Sequence, residues 1–143
     1  MQPLFLEDIT TFIKKFEDES LPKEQWTHEA HLATGLYYVY TYGKEQALDR
    51  IRINIKKYNI ATGGENTATS GYHETITVFW IWVMDTFIKK ESSSLSLREL
   101  LIQLLQSEYA ITSLPFQFYS KDYLLSEEAR KNFIEPDLKS LTL

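Results

Sequence analysis

All three histidines of the chain fall in two short motifs, Thr27-His28-Glu29-Ala30-His31 and Tyr72-His73-Glu74. His28 and His31 are spaced i, i+3, which places both imidazoles on one face of a helix. A neutral imidazole binds a metal or takes a proton, so two chemistries follow. In the first, His28, His31 and His73, with Glu74 or Glu29, hold a divalent ion. Three imidazoles with one open position suit catalytic zinc or iron. In the second, no metal takes part. His73 or His31 is the base, Glu74 is acid, base or orienter, and Asn66, Tyr72, Asn54, Tyr58 and Trp26 bind the substrate. A third reading is structural. Acidic residues in a first helical turn suit the helix dipole with no further role, and Asn54 can be a satisfied buried amide.

The elements that must position these residues read as helices. Leu6, Ile9, Phe12, Ile13 and Phe16 mark one face of a first helix that ends before Pro22. Thr27 is an N-cap for a second, from His28 to about Thr41, closed by Gly43. A third runs from about Lys44 to Tyr58. The connection Asn59 to Ser70 is longer than most helix links, which favours a binding role. Gly71 to Lys90 is rich in β-branched and aromatic residues, yet no second run exists to pair with it as a strand. It is therefore predicted as a buried central helix. Ser96 to Glu99 forms a capping box for a fifth helix through about Leu105. Tyr109 to Tyr123 has no clean period. Ser126 opens a short last helix that Pro136 ends.

The expectation is an all-α, single-domain bundle (1–143) of about six helices, with a long loop between helices three and four. If helices two, three and four run up, down, up, the second and fourth begin at the same end. His28, His31, His73, Glu29 and Glu74 would then converge there, under the loop. Two helix N-termini would favour an anionic group and keep the imidazoles neutral.

Composition narrows the partners. The net charge is −5, and basic residues are mixed among acidic ones with no basic stripe, which argues against nucleic acid. There is no cysteine, so disulfides, thiolate metal sites and a Cys nucleophile are excluded. The N-terminal residues lack a basic n-region, and the longest strongly apolar run, Val78 to Met84, is too short to span a membrane. The expected setting is cytoplasmic.

Several motifs together resemble a family of small bacterial helical proteins of unknown function. They are Trp26-Thr27-His28-Glu29-Ala30-His31-Leu32, Ile53-x-x-Lys56-x-Tyr58-Asn59, and Asn66-Thr67-x-Thr69-x-Gly71-Tyr72-His73-Glu74-Thr75-Ile76-Thr77. Leu125-Ser126-x-Glu128-Ala129-Arg130 and Glu135-Pro136-Asp137-Leu138 complete the set. The resemblance covers most of the chain. It implies a compact helical fold in which the last motif packs back onto the body, and it implies no activity or cofactor. The architecture is also similar to the DinB-like metal-binding four-helix bundles, which place three His on bundle helices but space their paired His differently. The leading expectation is a small-molecule enzyme with a His/Glu site at the start of helices two and four, metal-assisted or metal-free, acting on an anionic substrate. The alternative is a non-catalytic ligand-binding or interaction domain, with the aromatics from Phe116 to Tyr123 forming a homodimer or partner surface.

Overall fold

The computed structural model describes residues 2–91 and 94–143. Among them are eight α-helices and no strand: α1 (Leu4–Glu7), α2 (Ile9–Glu17), α3 (His28–Tyr42), α4 (Lys44–Ala61), α5 (Glu74–Lys90), α6 (Leu97–Leu105), α7 (Lys121–Leu124) and α8 (Glu127–Lys131). Three 3₁₀ turns, Lys23–Gln25, Glu108–Ala110 and Leu114–Gln117, join them. No helix among the described residues is long and apolar enough to cross a membrane.

The helix boundaries follow local chemistry. Thr27 caps α3 by accepting from the Ala30 N–H at 3.1 Å. Gly43, at φ +83°, ends α3 and admits a turn so tight that α4 starts on the next residue. Tyr42 then meets Arg50 and Tyr38 meets Asn54, so α3 and α4 run antiparallel. The segment that was ambiguous between strand and helix is helical from Glu74 to Lys90, and it buries Phe79, Ile81, Val83, Met84 and Phe87. The capping box at Ser96 and Glu99 opens α6 as expected.

Three boundaries differ from the sequence reading. The first helix divides at Asp8, whose side chain accepts from the Thr11 N–H and hydroxyl; that local bond competes with helix continuation. The third helix extends to Ala61, so the connection before α5 is residues 62–73. The last helix stops at Lys131, well before Pro136. There Thr75 takes over the backbone: its hydroxyl donates to the Asn132 carbonyl and accepts the Ile134 N–H, which holds the chain extended along α5.

Helices α3, α4 and α5 each pack against the other two and make the centre of the domain. Tyr38, Tyr58, Phe12, Phe16, Phe79 and Phe87 are fully buried between them and their neighbours. Phe118 and Tyr119 are fully buried as well, so the C-terminal region belongs to the core. The aromatic stretch from Phe116 to Tyr123 is accordingly not one exposed surface. Phe116 and Tyr123 are accessible, and the two rings between them are not.

Candidate functional site

The residues from Ala110 to Phe118 form a strap tied to α3 by the Ala110 carbonyl on His28 and to α5 by Phe118 against Phe79, and Thr112, Pro115 and Phe116 of this strap border an apolar cleft of about 480 Å³. That volume falls within the range of small-molecule sites. Ile51 and Ile55 of α4, and Ile76, Trp80 and Met84 of α5, supply the walls. Trp26, His28 and His31 enter from the start of α3, and Pro115 and Phe116 from the strap. Gly35, in mid-α3, removes a side chain where Met84 and Ile81 approach.

His31 is held from two sides. Its Nδ1 lies 2.6 Å from the Thr27 carbonyl oxygen. A carbonyl only accepts, so Nδ1 carries the proton and Nε2 is left as an acceptor. Nε2 makes no hydrogen bond among the described residues. The ring also packs on Trp26, with centroids 3.9 Å apart, and Trp26 stacks on Phe16 at 4.5 Å. His31 is exposed overall and lines the cleft, while Trp26 and the start of α3 desolvate part of its ring. That desolvation, reinforced by the nearby His28, outweighs the Thr27 carbonyl and holds its pKa below the ordinary histidine value. At neutral pH the ring is uncharged.

His28 secures the strap. Its Nε2 donates to the Ala110 carbonyl at 2.9 Å, and its ring meets the edge of Trp80. The i, i+3 pair therefore divides its work: His28 fastens the cover of the cleft through Nε2, and His31 ties Nδ1 back to its own helix and keeps Nε2 as an acceptor.

His73 does not join them. It is the N-cap of α5, and its Nδ1 accepts the Ile76 N–H at 3.1 Å while its Nε2 donates to the Leu124 carbonyl at 2.9 Å. Both ring nitrogens are spent, and burial, with the nearby Arg130, pushes its pKa down despite the Leu124 carbonyl. No lone pair remains for a metal or a substrate proton. Among the described residues no group of three or more His, Asp or Glu side chains is placed to hold a metal ion. The three-histidine set expected from the motifs does not assemble.

Glu74 orients no histidine. Its carboxylate receives a forked contact from Arg52, with Nη2 at 2.6 Å and Nε at 3.1 and 3.2 Å, and the Tyr72 hydroxyl donates to it at 2.6 Å. Burial raises the Glu74 pKa, but Arg52 and Tyr72 more than offset that and hold it below the usual carboxylate value. Burial and the Glu74 carboxylate push the Tyr72 hydroxyl far above its usual range. The sequence reading missed Arg52 entirely. Its one signal is a cation set among Ile51, Ile53 and Ile55 on α4.

The remaining expected substrate contacts are structural. Asn66 Oδ1 accepts from Asn59 Nδ2 and from the Tyr72 N–H, and its Nδ2 donates to the Lys56 carbonyl, so it clasps the loop onto α4. Asn54 donates to the Tyr38 hydroxyl, which donates in turn to Glu17 at 2.5 Å. Tyr58 is buried and donates to the Leu21 carbonyl at 2.8 Å. Of the residues singled out from sequence, Trp26, His28 and His31 line the cleft. Trp80 and Phe116 also line it, although their pattern reads as core and as partner surface. Gly35 was the available clue, because a glycine inside a helix marks a close approach or a space left open. Comparison with known protein families, with curated proteins and with solved structures finds no match to this chain.

Proposed function

We propose that this chain is a small-molecule-binding domain whose ligand occupies the cleft beneath the strap, with an apolar body and a polar group on His31. The observation that carries this reading is the cleft itself: about 480 Å³, walled by Ile, Met, Trp and Phe side chains, with a tautomerically fixed imidazole at its edge. Few polar groups converging in an apolar hollow is the usual form of a ligand site.

The ligand is uncharged where it lies in the cleft. Among the described residues no Lys, Arg, Asp or Glu lines it. The helix N-termini expected to attract an anion are already capped by their own side chains, Thr27 on α3 and His73 on α5. Of the cations at the α5 start, Arg52 is neutralised by Glu74, and Arg130 is engaged by the Gly71 and Tyr72 carbonyls. A charge buried here would be unpaired, at a cost of several kcal/mol. Turnover on His31 would also call for a second polar group beside it, and no carboxylate lines the cleft to take that part.

The test is a fragment screen read by ligand-observed NMR, comparing the protein with Ile55→Trp. Ile55 is a half-buried cleft residue, so a larger ring there fills the space without entering the core. Uncharged ring compounds should bind the native protein with Trp fluorescence changes, and the variant should lose them. Binding that survives in Ile55→Trp would place the ligand elsewhere and defeat the reading.

A further inference from the structure

We propose that the cleft's ligand is a hydroxyarene whose hydroxyl donates a hydrogen bond to Nε2 of His31. This rests on the cleft being the binding site and adds the chemical class of what it takes.

The polarity of the contact is set by the protein. The Thr27 carbonyl fixes the proton on Nδ1, so the only polar atom His31 has left is an acceptor. A ligand carbonyl or ether finds nothing to pair with there, whereas an O–H does. The imidazole is preorganised for the contact. The 2.6 Å bond to Thr27 and the 3.9 Å packing on Trp26 fix the ring before any ligand arrives, so little side-chain entropy is lost on binding. Two other polar side chains in the helical wall are engaged: the Thr77 hydroxyl donates to the His73 carbonyl at 2.8 Å, and His28 Nε2 donates to the Ala110 carbonyl at 2.9 Å.

The ring follows from the walls. Trp26, Trp80 and Phe116 border the space together with branched aliphatic residues. Aromatic neighbours reward a flat ring beyond the area it buries. Charge is excluded by the lining, which removes carboxylates and amines. A phenolic hydroxyl is the stronger donor among neutral ring substituents, and with a pKa near that of tyrosine, about 10, it stays protonated at neutral pH. At pH 7.5 the imidazole, which titrates below the ordinary histidine value, and the phenol are both uncharged, so the contact is a neutral hydrogen bond.

The experiment compares three probes of nearly one shape, 4-ethylphenol, 4-ethylanisole and ethylbenzene, titrated into the protein at pH 7.5. The first donates, the second only accepts, and the third does neither. 4-Ethylphenol should bind roughly tenfold more tightly than the other two, the factor that one hydrogen bond supplies. His31→Phe keeps a ring against Trp26 and removes the acceptor, so it should abolish the preference while leaving ethylbenzene binding in place. In the native protein the ¹⁵N resonance of His31 Nε2 should move when 4-ethylphenol binds and stay still with 4-ethylanisole, a readout that needs no variant. Equal binding of all three probes would overturn the hydroxyl assignment and leave the cleft as a site. No binding of any probe would overturn both. A preference for 4-ethylphenol that persists in His31→Phe would assign the hydroxyl to another partner and refute the role given to His31.

Discussion

Gly63 and Gly71 both adopt positive φ, +90° and +83°, within the same connection before α5, but only one of them is crowded. A Cβ on Gly63 would meet nothing within 4 Å. A Cβ on Gly71 would lie 1.8 Å from the Glu65 carbonyl oxygen and 2.8 Å from Asn66 Oδ1. Replacing either with alanine incurs the left-handed penalty of about 1 kcal/mol. Gly63→Ala should cost little more than that. In Gly71→Ala the Glu65 backbone must retreat by roughly an ångström or more, because real Cβ atoms essentially never approach closer than 3.0 Å. Asn66 is the next residue, and its Oδ1 accepts from both Asn59 and Tyr72. Losing those two bonds adds about 1 kcal/mol each. The contact of Arg130 with the Gly71 carbonyl, 2.6 Å, is also put at risk. The expected loss is therefore about 3 kcal/mol or more for Gly71→Ala against about 1 for Gly63→Ala. Urea unfolding followed by tryptophan fluorescence measures both, with unchanged m-values as the check that the transition stays two-state. Equal costs at the two glycines would mean that the loop is not folded against α4. Asn66 would then be free, and its sequence-based assignment as a ligand contact would return.

Acidification should destabilise the domain in two separate ranges. His73 has a folded-state pKa below its ordinary value of 6.5, so between the two values the unfolded chain binds the extra proton. Its contribution is complete above about pH 6.5 and is lost as pH falls beneath it, at no more than about 1.4 kcal/mol per pH unit. Urea midpoints at pH 7.5, 6.5 and 5.5 should fall along that series, and less steeply in His73→Asn, which can still cap α5; an identical slope would mean that His73 stays uncoupled from folding. His31, also shifted down, acts in the same direction. Glu74, also shifted down, contributes stability that disappears only below about pH 4.5. Gly35→Ala should raise stability by about 0.5–1 kcal/mol, since Gly35 sits inside α3 and its new Cβ would meet Met84 Cγ at 3.4 Å and Ile81 Cδ1 at 3.6 Å, ordinary contacts. A lower thermal midpoint in that variant would show that the cleft wall is tighter there than these distances imply.

The parts of the fold that could be read in the sequence are those decided within a few residues. Thr27 and Ser96 announce their helices because each cap closes on an N–H three residues on. The central helix was legible for a different reason: an apolar run of that length with no possible partner strand has only one way to satisfy its backbone. What failed were assignments that depend on distant partners. Glu74 looks like an orienter beside His73 until Arg52, 22 residues earlier, takes its carboxylate. His73 looks like a base until Leu124, 51 residues later, takes its Nε2. Neither partner follows any periodicity that would betray it.

The same accounting separates His73, which offers a ligand nothing, from His28 and His31, which each keep one nitrogen. Each imidazole has two nitrogens, and each nitrogen spent on the backbone is one fewer for chemistry. His73 spends both, because it must cap α5 and also tie down α7. His28 spends one on the strap at Ala110. His31 spends one on Thr27, its own residue i−4, a bond that was foreseeable from spacing alone. A histidine whose partner is local keeps its other nitrogen for whatever the tertiary structure brings past it. Here the tertiary structure brings a cleft, and the proposed ligand contact accordingly lies at the start of α3, on the first of the two histidine motifs, while His73 is held apart by α7.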